Sequence, residues 1–261
     1  MIILIHTSKT MRGNPGAADP LRRPALLDRA DILATYVQTL TAEQLARIMH
    51  LSPALASKTH TTFSDWTVSP ERQALAVDSF IGDIYSGLRA STLSGGDRDY
   101  ADEHLRILSG LYGILRPYDG ICPYRLEMGY KFPARPYANL YAYWGDAIAA
   151  TLPKEGLIVN LSSVEYSKVV VPFVDGERIV TPKFLTMDKK TGTPVFAVVH
   201  AKIARGAFAR WLVTSRMIDE TRFKEFADIG YRYDESLSTS KEPTFVCQDF
   251  GGKGLSMRLD T

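Results

Sequence analysis

Residues 105–146 read LRILSGLYGILRPYDGICPYRLEMGYKFPARPYANLYAYWGD, and this stretch indicates more about the fold and chemistry of the chain than any other. Its glycines alternate with charged and aromatic residues at intervals that an ordinary surface loop does not show. Glycine allows the backbone to approach a ligand closely, arginine grips carboxylate or phosphate groups, and aromatic rings stack on bases. The stretch therefore predicts a cationic cleft with aromatic side chains in its lining.

The composition of the chain is that of a globular protein with a large hydrophobic core. Its 261 residues are 45% hydrophobic and 23% charged, which is an ordinary balance for soluble domains. A formal net charge of +2 neither requires nor excludes an anionic partner. Binding to nucleic acid would require the positive charge to be gathered on one face of the protein.

Several classes of protein are disfavoured by what the sequence lacks. The two cysteines match no metal-binding or disulfide pattern, the five histidines show no metal-ligand spacing, and there is no P-loop, GxGxxG or GxSxG motif. We therefore expect no metal and no cofactor. Apolar runs are too short for a membrane span or a signal peptide, so we expect a cytoplasmic protein without a membrane partner. The sequence does not indicate the oligomeric state.

Hydrophobic periodicity and turn residues divide the chain into short elements. Helices are predicted at residues 25–40, 42–49, 72–80, 97–108, 140–152, 201–216 and 220–226, and a further helix from Pro53. Strands are predicted at residues 1–6, 157–161, 168–174, 178–186, 194–200, 229–233 and 244–248. Thr41 and Gln44 have the spacing of a capping box for the second helix, and Ser52 before Pro53 favours a helix start.

This order of elements predicts a single α+β domain over residues 1–261, in which helices surround a mixed β-sheet. Residues 41–60 are predicted to form a helical hairpin within it, and residues 251–261 a loose tail. The hairpin superficially resembles helix-hairpin-helix units, which present backbone amides to DNA phosphates. Its linker, His50-Leu51-Ser52, lacks the glycines of such units, so a plain helical hairpin is favoured over a DNA-contacting one.

Seven segments of the chain together resemble one protein family. SGLYGILRP, PYRLEMG and LYAYWGD lie within residues 105–146, while IHTSKTM, IGDIYSGL, NLSSVEYSK and HAKIARG lie outside that stretch. They are similar, in consistent order from about residue 2 to residue 233, to the bacterial YaaA family of peroxide stress proteins, also called UPF0246 or DUF328. The resemblance implies a YaaA-like fold, a role in limiting peroxide damage that is tied to intracellular iron, and DNA binding through a positive cleft. The N-terminal segment, IHTSKTM, departs from the ISPAKT turn that is usual in the family, but it keeps Lys9.

Two groups of cations outside residues 105–146 are candidates for binding phosphate. Lys9 follows the first predicted strand, which is a favoured position for ligand contacts in sheet proteins. Lys202 and Arg205 share one face of a predicted helix near its N-terminus, where the backbone dipole also attracts anions. The alternative is an ion pair of these two cations with Asp83 or Glu165.

A third group of candidates lies within residues 105–146. Arg116 and Arg125 would contact phosphates, while a tyrosine or Trp144 would stack on an exposed base. Pairing of Arg125 with Glu127 is the structural alternative. The residues expected to bind nucleic acid or phosphate are Lys9, Arg116, Tyr124, Arg125, Trp144, Lys168, Lys202 and Arg205.

Carboxylates from three separate segments are candidates for acid–base chemistry. Asp83, Asp146 and Glu165 could each supply a general base, and Lys9 could act as an electrophile or form a Schiff base. Catalysis of this kind requires a carboxylate within hydrogen-bonding reach of Lys9.

Three functions follow from these residues. The first is DNA binding, to a duplex or to damaged DNA, in the response to hydrogen peroxide. The second is an enzyme that acts on a nucleotide, nucleoside or nucleobase, in the manner of a glycosylase or lyase, with the same cleft holding a small anionic ligand. A purely structural protein ranks last, because it does not explain why so many cations accompany the glycines.

Overall fold

A buried apolar strand at the start of the chain lies inside the largest sheet of the described residues, which also form a four-stranded sheet and two two-stranded sheets. The computed structural model describes residues 1–12 and 22–252. The strands are β1 (Ile2–His6), β2 (Thr10–Met11), β3 (Ala74–Leu75), β4 (Phe80–Ile81), β5 (Leu105–Ser109), β6 (Gly113–Leu115), β7 (Gly120–Ile121), β8 (Ile158–Asn160), β9 (Ile179–Val180), β10 (Lys183–Met187), β11 (Pro194–Val195), β12 (Tyr231–Tyr233) and β13 (Thr244–Cys247). The α-helices are α1 (Leu27–Gln38), α2 (Ala42–Met49), α3 (Pro53–Ser64), α4 (Ala76–Ser79), α5 (Asp83–Leu88), α6 (Gly95–His104), α7 (Leu140–Trp144), α8 (Val164–Ser167) and α9 (Val198–Thr214).

The largest sheet has the strand order β6-β5-β1-β8-β9. β1 pairs in parallel with β5 and β8, β9 pairs in parallel with β8, and β6 is antiparallel to β5. Every residue of β1 is buried, as expected for a parallel strand that is covered on both faces. The carboxyl end of β1 therefore lies between two parallel neighbours, at the edge where sheets of this kind commonly bind ligands.

A second, four-stranded sheet has the order β11-β10-β13-β12. β10 and β13 pair in parallel, and the two outer strands are antiparallel to them. The long helix α9 contacts both β10 and β1, so it links the two sheets, and one hydrophobic core extends from Ile2 to Cys247. The predicted α+β class of a single domain is confirmed, although the described residues form several sheets rather than the one mixed sheet that the sequence predicted.

Two predicted helices are wrong, because the chain forms strands within them. The helix predicted at residues 97–108 ends at His104, and Leu105–Ser109 is strand β5. Residues 72–80 are divided among the end of a 3-10 turn, short strands and the single-turn helix α4. A short, fully buried strand has the same run of apolar residues as the buried side of a helix, so periodicity does not separate the two.

Other predicted elements are shortened or replaced. Residues 168–174 form no strand in this described part of the chain, and Val171–Phe173 is a 3-10 turn. The helix predicted at residues 140–152 ends at Trp144. The strand predicted at residues 178–186 is divided between β9 in one sheet and β10 in the other.

Local capping at the helical hairpin follows the sequence closely. The Thr41 hydroxyl accepts the Gln44 N–H at 3.3 Å, and the Gln44 side chain accepts the Thr41 N–H at 2.8 Å, which completes the predicted capping box. Ser52 caps α3 ahead of Pro53, and α2 packs against α3. Residues 253–261 of the predicted tail lie outside the described residues. None of the described helices is long and apolar enough to cross a membrane.

Candidate functional site

A cavity of about 920 Å³ opens beside Lys9, just beyond the carboxyl end of β1. Its walls come from the turn after β1, from the helical hairpin, from the segment that follows β7 and from α8. We call it the Lys9 cleft, and it is lined by Lys9, Gln44, Arg47, Ile48, His50, Glu127, Gly129, Tyr130, Lys131, Phe132, Pro133 and Glu165. Arg47 and Lys131 are exposed at its rim, and neither forms a salt bridge within residues 1–12 and 22–252.

A partly buried carboxylate lies beside Lys9 inside the cleft. The Lys9 Nζ atom is 3.7 Å from Glu127 Oε2, and the Glu127 side chain is only 15% exposed. Burial raises the pKa of Glu127, the Lys9 charge opposes that rise, and the charge of Glu165 adds to it. Glu127 therefore holds a proton more readily than an exposed glutamate does, which suits a general acid or base.

Glu165 and Arg125 hold the backbone around this ion pair. Glu165 Oε1 accepts the backbone N–H of Gly129 at 2.8 Å, and a Cβ atom at Gly129 would lie only 3.0 Å from that oxygen. Arg125 donates from Nη1 to the Lys9 carbonyl oxygen at 2.9 Å. The arginine is thus bonded to the turn after β1 rather than to the Glu127 carboxylate.

A line of buried polar side chains connects Glu127 to the end of β1. The Tyr166 hydroxyl donates to Glu127 Oε1 at 3.2 Å and lies 3.1 Å from Thr7 Oγ1. The His6 ring stacks on the Tyr166 ring with centroids 4.9 Å apart and planes inclined by 22°. Residues 6 and 7 are therefore coupled to the Lys9 cleft through one tyrosine.

His6 is buried and held in one tautomer. The residue is 7% exposed, and its Nδ1 atom accepts the backbone N–H of Ser163 at 3.1 Å, which leaves the ring proton on Nε2. Burial, together with the charges of Arg205 and Lys202, lowers the pKa of His6 to about 3. The ring is therefore a neutral donor at physiological pH, and both cations lie close to it.

Lys202 and Arg205 lie one turn apart on α9, beside His6. Both are half-buried, and burial lowers the pKa of the Arg205 guanidinium. Among the residues that the structure describes, neither forms a salt bridge, so the predicted alternative of an ion pair with Asp83 or Glu165 is not seen. Because α9 begins three residues earlier than predicted, the two cations lie in its second and third turns, where the helix dipole is weaker.

The other predicted binding residues lie away from these two groups or in the protein interior. Arg116 pairs with the buried carboxylate of Asp102 at 2.6 Å. Trp144 is fully buried and donates to a backbone carbonyl at 3.1 Å, and the Tyr124 hydroxyl lies 2.6 Å from a serine of β5. Lys168 is exposed at the end of α8. Since the rings of Trp144 and Tyr124 are enclosed by protein, neither ring is presented to a base in this conformation.

The three predicted carboxylates are dispersed. Glu165 lines the Lys9 cleft, while Asp83 begins α5 and Asp146 is exposed after α7. Neither aspartate is among the residues that line the cleft in the described part of the chain. The carboxylate in contact with Lys9 is instead Glu127, which the sequence indicated only as a partner for Arg125.

Three side chains at or beside the site were not predicted from the sequence, namely His6, Tyr166 and Arg47, and they come from segments that are far apart in the chain. Lys131 lies within residues 105–146, the stretch that predicts a cationic cleft. The position of His6 at the end of an N-terminal strand is a usable signal, but a lone arginine or lysine on a helix or loop gives none. In residues 1–12 and 22–252 no group of three or more histidine, cysteine, aspartate or glutamate side chains is placed to hold a metal ion.

Comparison with known proteins finds relatives along the whole chain. The family described as "Peroxide stress protein YaaA" matches residues 1–237. A UPF0246 protein of Salinispora tropica is 61% identical over 258 residues, which cover 99% of this chain and 98% of the relative. UPF0246 proteins of Burkholderia lata and Burkholderia cenocepacia are each 38% identical over 257 residues, covering 94% of this chain and 97% of the relative.

Proposed function

The chain belongs to the peroxide stress protein YaaA family, and from this premise we propose that the Lys9 cleft binds DNA. The two rim cations, Arg47 and Lys131, carry the proposal. Both are exposed beside the cavity, and neither has a salt-bridge partner in the described part of the chain. DNA phosphates would form the ion pairs that these side chains lack. Tyr130, half-buried in the lining, would stack on an unpaired base.

The helical hairpin contributes to the proposed interface through side chains. His50 in its linker adopts a left-handed conformation with φ of 53°, and it lines the cleft together with Arg47. The backbone N–H groups of His50 and Leu51 both donate to the Ala46 carbonyl oxygen. Since these two amides are already bonded, the hairpin would contact phosphate through Arg47 and the His50 ring rather than through them.

DNA binding would connect the cleft with the family's association with peroxide stress. The protein would shield or recognise damaged DNA, because the sequence contains no redox motif. The cytoplasmic location expected from the short apolar runs of the sequence stays a prediction.

Fluorescence anisotropy with labelled duplex and single-stranded DNA at several salt concentrations tests this function. We expect affinity to fall steeply with salt, and Arg47→Glu combined with Lys131→Glu to lower it by about a hundredfold at roughly 0.1 M salt. The logarithmic salt slope should decrease by about two, since two phosphate contacts are lost. Lys224→Glu, which reverses an exposed charge outside the cleft, is the control. Affinity that does not depend on salt, or that is equal in the double variant and the control, would overturn the proposal.

A second candidate function is favoured by one contact, the 3.7 Å distance from Lys9 Nζ to Glu127 Oε2. A lysine amine can add to the aldehyde of an abasic sugar and lose water to form a Schiff base. Glu127, whose pKa burial raises, lies 3.7 Å from the amine, just beyond hydrogen-bond distance. After a small approach it would accept the proton from the amine and return it to the leaving water. The cleft would then act on abasic DNA as a lyase.

Borohydride trapping on DNA with an abasic site tests the lyase. Borohydride reduces a Schiff base to a stable amine, so the wild-type protein should become covalently attached to the DNA, and Lys9→Met should not. Lys224→Met removes an exposed lysine outside the cleft and should still be trapped. If no adduct forms with the wild-type protein, or if Lys9→Met is trapped equally, Lys9 is not a nucleophile.

A further inference from the structure

The second group of cations, Lys202 and Arg205, lies beside the neutral ring of His6 and is more buried than the rim of the Lys9 cleft. His6 is 7% exposed, and the two cations on α9 are half-buried. We call these three residues the His6 cluster. It lies at the carboxyl end of β1. There α9 packs against the strand, so Lys202 and Arg205 lie beside His6 although they are nearly two hundred residues away in the sequence.

The donors of the His6 cluster have no acceptor in the described part of the chain. The Ser163 N–H occupies His6 Nδ1, so Nε2–H is the free donor. No hydrogen bond or salt bridge within residues 1–12 and 22–252 involves the side chain of Lys202 or Arg205. Partly buried cations without a counter-charge destabilise a fold unless an anion compensates them. The arrangement therefore calls for an anionic ligand.

The total charge of the His6 cluster and its three donor side chains favour one class of anion. Lys202 and Arg205 carry two positive charges, and His6 is neutral because its pKa lies near 3. A phosphate monoester carries about −1.5 to −2 at neutral pH and has three terminal oxygens for three donors. A phosphodiester within a strand carries one negative charge and has both of its sides attached to sugars, which hinders entry to a half-buried site.

The His6 cluster is also placed to act together with the Lys9 cleft. The His6 ring stacks on Tyr166, whose hydroxyl bonds Glu127 in that cleft. One tyrosine therefore links the His6 cluster to the Glu127 carboxylate in the lining of the cleft. This link is the reason for placing the end of a strand held in the cleft at the cluster.

We propose that His6, Lys202 and Arg205 form a pocket for a terminal phosphate monoester, and that its source is the end of a DNA strand bound in the Lys9 cleft. The source in this proposal rests on the proposed DNA-binding function, while the pocket itself does not. A free nucleoside monophosphate presents the same chemical group, so the test has to separate these two sources.

Anisotropy with gapped duplexes that differ only at the strand end separates them. The strand ends that border the gap carry a 5′-phosphate in one duplex, a 3′-phosphate in the second and only hydroxyls in the third. Deoxynucleoside 5′-monophosphates are added as competitors. We expect the wild-type protein to prefer one phosphorylated end by about tenfold over the hydroxyl end, as charge-assisted hydrogen bonds provide. Lys202→Met and Arg205→Met should each reduce that preference to less than about twofold. Lys224→Met, which removes an exposed charge elsewhere, should keep it.

The possible results test three claims separately: that the pocket exists, that its phosphate comes from a DNA end, and that the Lys9 cleft binds DNA. A preference for a phosphorylated end that both variants lose supports the whole proposal. Binding of the free monophosphate that both variants lose, without a preference among DNA ends, supports the pocket and overturns DNA as its source. If the wild-type protein shows neither, the pocket is overturned, and salt-dependent binding of the hydroxyl-ended duplex would leave the proposed function intact. Thermal unfolding shows whether each variant is folded. If Arg205→Met does not fold, the result for Lys202→Met alone decides whether the pocket exists.

Discussion

Replacing Gly206 with alanine is expected to lower the free energy of unfolding by roughly 3–5 kcal/mol, or to prevent folding. Gly206 lies where α9 crosses α5, and a Cβ atom there would lie 1.8 Å from the Ile84 carbonyl oxygen. Gly87 on the facing helix is equally constrained, since its Cβ atom would lie 2.0 Å from the Ile203 carbonyl oxygen. The obstructing atoms belong to the backbone of packed helices, so no side-chain rotation relieves the overlap.

The stability of this variant is best measured by urea or thermal unfolding followed by circular dichroism. Gly95→Ala is the matched control, because it makes the same substitution in a helix where nothing lies within 4 Å of the added Cβ. Alanine is the better helix former, so this control should be unchanged or more stable by up to about 1 kcal/mol. A Gly206→Ala protein as stable as the control would show that α5 and α9 are not packed as described. Since α9 also carries Lys202 and Arg205, the same variant should disturb the His6 cluster.

Replacing Asp102 with alanine is expected to lower the free energy of unfolding by roughly 3 kcal/mol. The carboxylate is 2% exposed and accepts from Arg116 at 2.6 Å, from Arg22, and from the Tyr118 backbone N–H at 2.9 Å. Its removal leaves two guanidinium groups and an amide without their shared acceptor. The expected loss is at the lower end for a broken buried ion pair, because both arginines are partly exposed and can turn toward water.

Chemical denaturation of the wild-type protein and three variants isolates the contribution of the Asp102 carboxylate. Asp99→Ala is the control, because its carboxylate accepts the Tyr118 hydroxyl at 3.1 Å on the surface and should contribute no more than about 0.5 kcal/mol. Asp102→Asn keeps the shape and removes the charge, so its effect should lie between those of the two alanine variants. Equal losses for Asp102→Ala and Asp99→Ala would mean that the network around Arg116 is not a structural support.

The predictions from the sequence succeeded where short-range chemistry decides the structure. The capping box of Thr41 and Gln44 depends on residues three apart, and both of its hydrogen bonds are present. The apolar run at the start of the chain forms the buried strand β1 as predicted. The predictions failed at Leu105–Ser109, a strand that periodicity assigned to the end of a helix, because burial on both faces removes the alternation that identifies a strand.

The roles of Arg116 and Trp144 illustrate the same limit for side chains. Both residue types commonly contact DNA, but Arg116 forms an ion pair with Asp102, and Trp144 is buried in the core. Which cation remains without a partner depends on where every carboxylate lies. A local pattern does not contain that information.

The sequence by itself determined the family, the α+β class and the caps of the hairpin helices, because these follow from residue type, short motifs and near neighbours. The binding roles of Lys9, Lys202 and Arg205 stay predictions. Only the tertiary structure decided that Glu127 contacts Lys9 and that the buried, neutral ring of His6 joins the two cations of α9. These contacts depend on the parallel pairing of β1 with distant strands and on the packing of α9 across the sheet. Such pairings are set by the burial of the whole core, which no single segment specifies.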